Sequence, residues 1–248
     1  VSNEDLTILP KDLGGVNTPV YLNNNLMYGY YIYTPSGYSN NTYEYPLLVF
    51  LHGSGQVGNS KVTQSDLQRV NAYGPGYNIT QNKWAPRYPM IVVSPQTTNL
   101  NFDADSLNTF INYIVNNYRI NPHRIYLTGL SLGGAGTFTY LATYPNNNIA
   151  AAVPMSSPYE KRTNINNLLT VPIWTFVGGA DANASKLVTT IDMINQLKPI
   201  YKAKITIFPG VGHNCWDLVY SGSGMGSEDK NYDLFNMSIY DWMFQYKK

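Results

Sequence analysis

Short continuous apolar runs alternate with amphipathic stretches along most of the chain, and this alternation constrains the fold more than any other feature. Residues 46–51 and 90–94 are apolar at nearly every position, as expected for strands that are buried on both faces. Between residues 103 and 118 the apolar side chains recur every three or four positions, which predicts a helix with one buried face. The alternation indicates the α/β class, with a mostly parallel sheet covered by helices on both faces.

The same patterns predict strands and helices along the rest of the chain. Strands are expected at residues 27–33, 46–51, 90–94, 124–128, 150–154, 172–177 and 204–208, and helices at 103–118, about 135–142, 187–197 and 234–246. The chain contains no internal repeat, linker or compositional break, so residues 1–248 are expected to form one domain with no separate lid domain. Functional side chains of such a sheet lie on loops at the carboxyl ends of its strands.

The composition excludes several classes of function. Only 12% of the residues are charged and the net charge is +1, so we expect no surface for nucleic acid or for an acidic membrane. The single cysteine, Cys215, excludes an internal disulfide framework and a cysteine-based zinc site, and we expect it to be a small apolar residue. No apolar run approaches the roughly 18 residues of a membrane span.

The polar surface is expected to consist mainly of amides and hydroxyls, because the chain has 29 Asn and 22 Tyr. A neutral surface of this kind suits a secreted or periplasmic protein, although an AT-rich genome produces the same bias and a cytoplasmic location stays open. The first residue is Val1 rather than Met, which fits the removal of a signal peptide. The oligomeric state cannot be read from the sequence.

One serine lies in a pattern that is typical of a catalytic nucleophile. Of the 16 serines, only Ser131 fits Gly-x-Ser-x-Gly, over residues 129–133. A predicted strand enters this motif and a run of small residues leaves it. This is the setting of a sharp turn from strand to helix that exposes the serine hydroxyl. A glycine-rich turn with no catalytic role is the alternative, and the strand and helix around the motif favour the nucleophile.

A serine hydroxyl is a weak nucleophile unless a base accepts its proton, and the chain offers three histidines. His213 follows the last predicted strand in a glycine-rich loop, so it is expected at the same sheet edge as Ser131. His123 precedes its strand, which places it at the opposite edge. His52 directly follows an early strand in the segment His-Gly-Ser-Gly. His213 is therefore the predicted base.

The base needs a carboxylate that fixes its tautomer, and in the chain order serine, acid, histidine the choices are Glu160, Asp181 and Asp192. Asp192 falls within a predicted helix, and Glu160 lies in a charged loop. Asp181 alone lies on a loop that follows a predicted strand. We therefore predict Asp181 as the acid, with Asp217 as the reserve.

Negative charge that develops on a substrate oxygen needs donors that are already in place. Leu132, the residue after the nucleophile, offers its backbone N–H from the start of a helix. The second donor is expected in the loop after the early strand that ends near His52, where glycine allows close approach of the backbone. We predict the N–H of Ser54, with that of Gly55 as the next choice. A simple turn that ends the strand is the alternative.

These segments together resemble the α/β-hydrolase superfamily. The resemblance rests on residues 51–56, 121–134, 178–181 and 210–213, within a region of about residues 27–213. More narrowly, the chain is similar to lidless carboxylesterases related to dienelactone hydrolases, polyhydroxybutyrate depolymerases and feruloyl or acetyl-xylan esterases. The resemblance implies an α/β-hydrolase fold with Ser131, Asp181 and His213 as the catalytic triad. The acid is followed by Ala-Asn-Ala-Ser, where members of this branch often have a hydrophobic residue or proline.

We therefore expect a serine carboxylesterase that hydrolyses neutral esters through an acyl-enzyme intermediate, with small-molecule or polymeric substrates such as feruloyl or acetyl esters of plant polysaccharide, or a polyester. Gln56 and Trp216 are candidates for contact with substrate, and the alternative for Trp216 is that it only packs against the histidine loop. Four loop aromatics are candidates for a platform that binds a sugar or aryl group, or else are core residues: Tyr73, Tyr77, Trp84 and Tyr159. The mechanism requires no metal and no organic cofactor.

Two other classes of function stay open at this stage. The same three residues support peptide cleavage in enzymes of the prolyl-oligopeptidase type, although 248 residues leave no room for a gating domain. A hydrolase-fold protein that binds without catalysis is the second alternative, and an intact set of catalytic residues argues against it.

Overall fold

An eight-stranded sheet forms the centre of the computed structural model, which describes residues 2–157, 159 and 164–248. Its strands are β1 (Val16–Val20), β2 (Gly29–Thr34), β3 (Tyr45–Leu51), β4 (Ile91–Gln96), β5 (Ile120–Leu130), β6 (Ile149–Met155), β7 (Trp174–Gly178) and β8 (Lys204–Phe208). Their spatial order is β1-β2-β4-β3-β5-β6-β7-β8. Strand β2 is antiparallel to both of its neighbours, and strands β3 to β8 are parallel.

Helices connect the parallel strands and pack against them. The α-helices are α1 (Glu4–Thr7), α2 (Gly74–Thr80), α3 (Ala104–Asn117), α4 (Leu132–Thr143), α5 (Ala184–Gln196), α6 (Trp216–Tyr220) and α7 (Ile239–Met243). Short 3₁₀ helices lie at Tyr38–Asn40, Ser54–Gln56, Gln64–Asn71 and Ile165–Thr170. Helix α4 contacts β5 and β6, and α5 contacts β7 and β8. The mostly parallel sheet with its helices confirms the predicted α/β class.

The central elements form where the apolar pattern predicts them. Every residue of β3 and of β6 is buried, because these strands lie inside the sheet with both faces covered. Helix α3 begins where the side chain of Asp103 accepts a 2.8 Å hydrogen bond from the N–H of Ser106, which caps the helix. Leu107, Phe110 and Ile114 form its buried face.

Several elements differ from the sequence prediction, and the short helices α1, α2 and α6 were not predicted. Strand β1 was not predicted, because its residues are exposed or half-buried and include Pro19, so it has no apolar run. Helix α4 begins at Leu132 rather than near residue 135. The closing helix predicted for residues 234–246 is only α7, because the side chain of Ser238 caps it by accepting a 3.0 Å hydrogen bond from the N–H of Asp241.

A buried arginine joins both ends of the chain to the central sheet. Arg124 on β5 has a fully buried side chain, and its Nε and one terminal nitrogen donate 2.8 Å hydrogen bonds to the two carboxylate oxygens of Asp5. The same guanidinium donates to the carbonyls of Ser2 and Phe244, at 2.9 and 2.7 Å. The segments next to α1 and after α7 are therefore held at the amino end of β5.

Within the described residues, none of the helices combines the length and the apolar character that a membrane crossing requires.

Candidate active site

Ser131 lies on a strained turn between the carboxyl end of β5 and the first residue of α4. Its φ of 52° and ψ of −113° fall outside the regions that residues with a side chain ordinarily occupy. A Cβ at Gly133 would overlap the carbonyl oxygen of Leu51 at the end of β3, so only glycine fits there. The N–H of Ser131 donates a 2.9 Å hydrogen bond to the carbonyl of Met155. The turn is thus fixed from both neighbouring strands.

His213 lies on the loop after β8, and its Nε2 is 2.9 Å from Ser131 Oγ. The side chain of His213 is 46% exposed, so the site is open to solvent. The ring of Trp216 meets the His213 ring edge to face with 5.3 Å between the ring centres. The sequence placed Ser131 and His213 at one edge of the sheet, and the structure brings their reactive atoms within hydrogen-bond distance.

Asp181, on the loop between β7 and α5, completes the arrangement. Its Oδ2 is 2.8 Å from His213 Nδ1, and its side chain is only 3% exposed. Its Oδ1 accepts a 2.9 Å hydrogen bond from the N–H of Asn183. Because the carboxylate can only accept, Nδ1 is the protonated nitrogen of neutral His213. The lone pair of Nε2 therefore points to the hydroxyl of Ser131.

The other acids and histidines considered from the sequence lie elsewhere or are already paired. Asp217 is exposed and accepts a 3.0 Å hydrogen bond from the side chain of Asn214. Asp192 is an exposed residue of α5, and Glu160 lies outside the described residues. The Nδ1 of His123 is 2.8 Å from the carbonyl of Lys248.

The loops that carry the acid and the base are joined through their backbones. The N–H of Ala180 donates to the carbonyl of Val211, and the N–H of Gly179 donates to that of Phe208, at 2.9 and 2.8 Å. A Cβ at Gly178 would overlap the carbonyls of Val211 and its neighbour, so the two loops are in direct contact. The position of Asp181 relative to His213 is therefore set by main-chain contacts.

Ser156 is a site residue that the sequence did not indicate. It follows β6, is fully buried, and has a φ of 46°. Its Oγ donates a 2.7 Å hydrogen bond to the carbonyl of His213, and its own carbonyl accepts a 3.3 Å hydrogen bond from the side chain of Asn183. It thus contacts both the base loop and the acid loop. Its place directly after a predicted strand is the only signal that the sequence carries.

The two backbone donors that we predicted lie at the starts of two helices whose leading segments approach each other. Leu132 is the first residue of α4, so its N–H has no partner within the helix. Ser54 is exposed and begins the 3₁₀ helix Ser54–Gln56 after β3. The close approach of Gly133 to the carbonyls of Leu51 and His52 brings the start of α4 against the loop that leads to Ser54.

His52 connects this loop to the end of β4. Its Nδ1 is 2.6 Å from the carbonyl of Gly53, and its Nε2 is 3.1 Å from the N–H of Thr97. Nδ1 therefore donates, Nε2 accepts, and the ring is neutral. Burial lowers the pKa of His52 to about 4, because the charged form would lose its hydration.

The expected substrate contacts lie next to this site. Trp216 is 7% exposed, and its ring contacts that of Tyr73 as well as that of His213, with 5.8 Å to the Tyr73 ring centre. Gln56 is half-buried, and its side chain approaches Gly53. Tyr159, by contrast, is buried against Phe138, so it belongs to the core.

Cys215 is fully buried beside Ser156, with 3.3 Å between its Sγ and the serine Oγ. Burial raises the pKa of its thiol to about 12, so the thiolate does not form near neutral pH. In the part of the chain that the structure describes, no group of three or more His, Cys, Asp or Glu side chains is placed to hold a metal ion.

The sheet order and the strained serine turn after β5 define an α/β-hydrolase. The chain belongs to the dienelactone hydrolase family, whose family model matches residues 79–218. A dienelactone is a cyclic carboxylic ester, and the protein is a carboxylic ester hydrolase. The resemblance seen in the sequence is thereby confirmed.

Solved structures of other hydrolases share this fold. A thermostable esterase is 21% identical with a TM-score of 0.67, over 94% of this chain and 63% of that one, so the chain spans less than two thirds of that protein. The feruloyl esterase module from Clostridium thermocellum, solved with sinapinate, is 16% identical with a TM-score of 0.61, over 99% of this chain and 92% of the module.

The S-formylglutathione hydrolase from Staphylococcus aureus is 13% identical with a TM-score of 0.64, over 96% of this chain and 99% of that one. No curated protein is a significant match to the sequence. At these identities the likeness to solved structures establishes the fold alone.

Proposed function

We propose that the protein is a serine carboxylesterase that hydrolyses neutral esters through an acyl-enzyme intermediate on Ser131. The observation that carries this proposal is the continuous hydrogen-bonded series from Ser131 Oγ through the His213 ring to Asp181, with distances of 2.9 and 2.8 Å. A serine, a base and a buried acid in this geometry are the groups that acyl transfer needs.

In the acylation step, Ser131 Oγ attacks the ester carbonyl carbon while its proton moves to His213 Nε2. Asp181 stabilises the imidazolium through the hydrogen bond to Nδ1. The backbone N–H groups of Leu132 and Ser54 hold the oxyanion of the tetrahedral intermediate. The C–O bond to the alcohol then breaks, and His213 returns its proton to the leaving alkoxide.

Water completes the reaction by the same route. His213 accepts a proton from a water molecule, which attacks the acyl carbon and forms a second tetrahedral intermediate. The bond to Ser131 then breaks, and the serine oxygen recovers its proton from His213. The products are a carboxylic acid and the free enzyme.

We propose esters on plant polysaccharide, or a polyester, as the natural substrates. Two features support large substrates: the His213 side chain is 46% exposed, and the fold is shared with a feruloyl esterase module. A small ester such as p-nitrophenyl acetate is expected to enter the same open site.

Substitution of the nucleophile tests the proposal directly. Ser131→Ala is expected to lower kcat for p-nitrophenyl acetate by about 10⁴-fold or more, and to abolish labelling by a fluorophosphonate probe. The matched control is Ser65→Ala, which changes an exposed serine and is expected to keep both properties. Retained turnover in folded Ser131→Ala, or no Ser131 adduct on the folded protein, would overturn the assignment.

A further inference from the structure

Gln96, the last residue of β4, is a buried amide that takes no direct part in the proposed reaction. The residue is 1% exposed. Its Nε2 donates hydrogen bonds of 2.9 and 2.7 Å to the carbonyls of Gln56 and Asp66. Because carbonyls can only accept, the amide nitrogen and not the amide oxygen faces both of them. One nitrogen atom therefore connects two loop segments to the end of the strand.

The two carbonyls belong to short helices that follow β3. Gln56 ends the 3₁₀ helix Ser54–Gln56, and Asp66 lies in the 3₁₀ helix Gln64–Asn71. These two helices contact each other, and the second also contacts β4. Ser54 is the first residue of its helix, so its N–H has no partner within that helix. Gln96 thus bonds directly to the helix whose first N–H is the proposed second oxyanion donor.

This three-residue helix contains little that holds it in place. The N–H of Gln56 donates over 3.2 Å to the Gly53 carbonyl, and the N–H of Val57 donates over 3.4 Å to the Ser54 carbonyl. Both distances are long for hydrogen bonds of this type, and a single 3₁₀ turn is a weak element. Ser54 and Gly55 are exposed, and a Cβ at Gly55 would have no atom within 4 Å. The position of Ser54 therefore depends on contacts with the sheet.

Two side chains connect the helix to the carboxyl end of β4, one at each of its ends. Before the helix, the Gly53 carbonyl is 2.6 Å from His52 Nδ1, and the other ring nitrogen of His52 accepts from the N–H of Thr97. At the last residue of the helix, the Gln56 carbonyl accepts from Gln96. Removal of the Gln96 amide therefore releases one end of the helix while the other end stays connected.

The chain that leaves the helix packs directly on the Gln96 amide. A Cβ at Gly58 would lie 2.7 Å from Gln96 Nε2, so the absence of a side chain allows this approach. The N–H of Gly58 donates a 3.2 Å hydrogen bond to the Thr97 carbonyl. Exposed Arg69 adds a 2.9 Å hydrogen bond to the Val57 carbonyl, where water competes with it. The Gln96 amide is thus in contact with the segment that it holds.

Stability alone does not account for an amide at position 96. In the part of the chain that the structure describes, Gln96 Oε1 is buried and has no hydrogen-bond partner. A buried acceptor without a partner costs folding free energy, and an apolar side chain of the same size would avoid that cost. The two hydrogen bonds of Nε2 are what the amide offers beyond such a side chain.

Resting on the proposed esterase function, we propose that Gln96 is a positioning residue for the oxyanion site. It holds the helix Ser54–Gln56 so that the Ser54 N–H meets the oxygen of the tetrahedral intermediate. Gln96 does not touch the substrate and acts through the Gln56 carbonyl. Because the negative charge on this oxygen develops only as the reaction proceeds, displacement of the donor lowers kcat and leaves KM nearly unchanged.

Gln96→Met tests the proposal, because it removes both hydrogen bonds and keeps a side chain of similar volume. Loss of a whole oxyanion donor costs about 10²–10³ in kcat, and a displaced donor is expected to cost about tenfold. The measurement compares p-nitrophenyl acetate with its thiono ester, in which sulfur replaces the carbonyl oxygen. Sulfur is a weak acceptor, so the thiono ester gains little from N–H donors. The ratio of kcat/KM for the oxo ester to that for the thiono ester is expected to fall about tenfold.

A purely structural role gives a different result. Displacement of Ser131 or His213, or a loss of folded protein, slows both esters alike and leaves the ratio unchanged. The matched control is Gln68→Met, which replaces an exposed glutamine of the helix Gln64–Asn71. It is expected to keep the wild-type kcat and the wild-type ratio.

Gly58→Ala tests the same contact from the side of the loop. The added Cβ would displace the Gln96 amide from the Gln56 carbonyl, so the ratio is expected to fall in the same direction. The proposal is overturned if folded Gln96→Met keeps the wild-type ratio of oxo to thiono ester. If thermal melting shows that Gln96→Met does not fold, a wild-type ratio in folded Gly58→Ala overturns it.

Hydrogen exchange separates this proposal from the proposed function, because it needs no hydrolysis. The N–H groups of Gln56, Val57 and Gly58 each have a backbone acceptor, and they are expected to exchange about tenfold faster in Gln96→Met than in Gln68→Met. This result supports the hold on the helix even if the wild type cleaves no ester, which would count against the proposed function alone. Equal exchange in the two variants overturns the positioning role, and the proposed function stands if the wild type hydrolyses p-nitrophenyl acetate.

Discussion

Ser156 stores backbone strain at a point where two loops meet. A φ of 46° in a residue with a side chain costs free energy of order 1–3 kcal/mol, and such strain persists only where the surroundings hold it. Here the surroundings are the His213 carbonyl and the Asn183 side chain. We infer that Ser156 is a positioning residue, which acts on the reaction through His213.

We therefore expect Ser156→Ala and Ser156→Gly to lower kcat for p-nitrophenyl acetate about three- to tenfold, because each loses one hydrogen bond worth about 0.5–1.5 kcal/mol. Both variants lack the hydroxyl, but glycine adopts positive φ without strain. Urea unfolding is thus expected to show Ser156→Gly to be the more stable of the two, while their kcat values agree. A wild-type kcat in both folded variants would contradict the positioning role.

The site residues that could be predicted from the sequence are those that stand in a recognisable local pattern. Ser131 stands in a glycine pattern after a strand, and Asp181 and His213 each follow a strand, so position along the chain was enough to place all three at one edge. Ser156 acts on a carbonyl 57 residues further along the chain. No pattern within the sequence reports such a contact, because it depends on how β6 and β8 are placed in the sheet.

At the scale of elements, His52 is the link between β3, β4 and the loop that carries Ser54. Its folded-state pKa of about 4 lies below the ordinary value of 6.5. Between about pH 4 and pH 6.5, His52 therefore binds a proton in the unfolded chain but not in the folded protein. The contribution of neutral His52 to the free energy of unfolding is therefore complete above pH 6.5, and it is lost as the pH falls toward 4.

The free energy of unfolding is expected to fall by about 2 kcal/mol between pH 8 and pH 5 through His52 alone. Urea unfolding at several pH values measures this slope. His52→Asn, whose amide keeps a donor for the Gly53 carbonyl, is expected to flatten the slope. The matched control variant is His123→Gln, which changes an exposed histidine. Equal slopes in the wild type and His52→Asn would show that the histidine does not titrate as described.

The elements that escaped prediction are those whose stability comes from partners distant in sequence. Strand β1 pairs with β2 at the sheet edge and has neither an apolar run nor a buried face. The segment before α7 is not helical, and within it the N–H of Asp233 donates to the Ile205 carbonyl while its Oδ2 accepts from the Ile205 N–H. The apolar spacing over residues 234–246 suggested one helix. Asp233, just before this range, is instead hydrogen-bonded to Ile205 of β8.

For the whole molecule, Arg124 is the group that ties the first and last segments to the core. Burial by itself lowers the pKa of a guanidinium, but the hydrogen bonds and charge of Asp5 more than offset this, and the pKa of Arg124 is raised. Burial of Asp5 is likewise outweighed by Arg124, which lowers the pKa of that carboxyl. The pair is therefore ionised at neutral pH.

Arg124→Met is expected to reduce the free energy of unfolding by about 3 kcal/mol, because it leaves the Asp5 carboxylate without its cationic partner and the carbonyls of Ser2 and Phe244 without a donor. The pair of exposed Arg69 with half-buried Asp66 supplies the control. Arg69→Met is expected to cost less than about 1 kcal/mol. Urea unfolding measures both values, and similar losses in the two variants would show that Arg124 does not hold the two chain ends to the sheet.

Two statements about the whole chain stay predictions: that residues 1–248 form one domain, and that the protein acts outside the cytoplasm. Fold class followed from the order of apolar runs, because each buried strand carries its own signal. Location depends on processing and export, which the folded chain does not record.

The backbone contact between the loops after β7 and β8 has a consequence for mutational tolerance. Since main-chain hydrogen bonds join Ala180 to Val211 and Gly179 to Phe208, a substitution that displaces one loop displaces the other with it. The acid and the base should thus drift together as sequences diverge or are engineered, while the end of β6 holds both Ser131, through the Met155 carbonyl, and the His213 loop, through Ser156. A substitution at the end of β6 is therefore expected to move the nucleophile and the acid–base pair relative to each other.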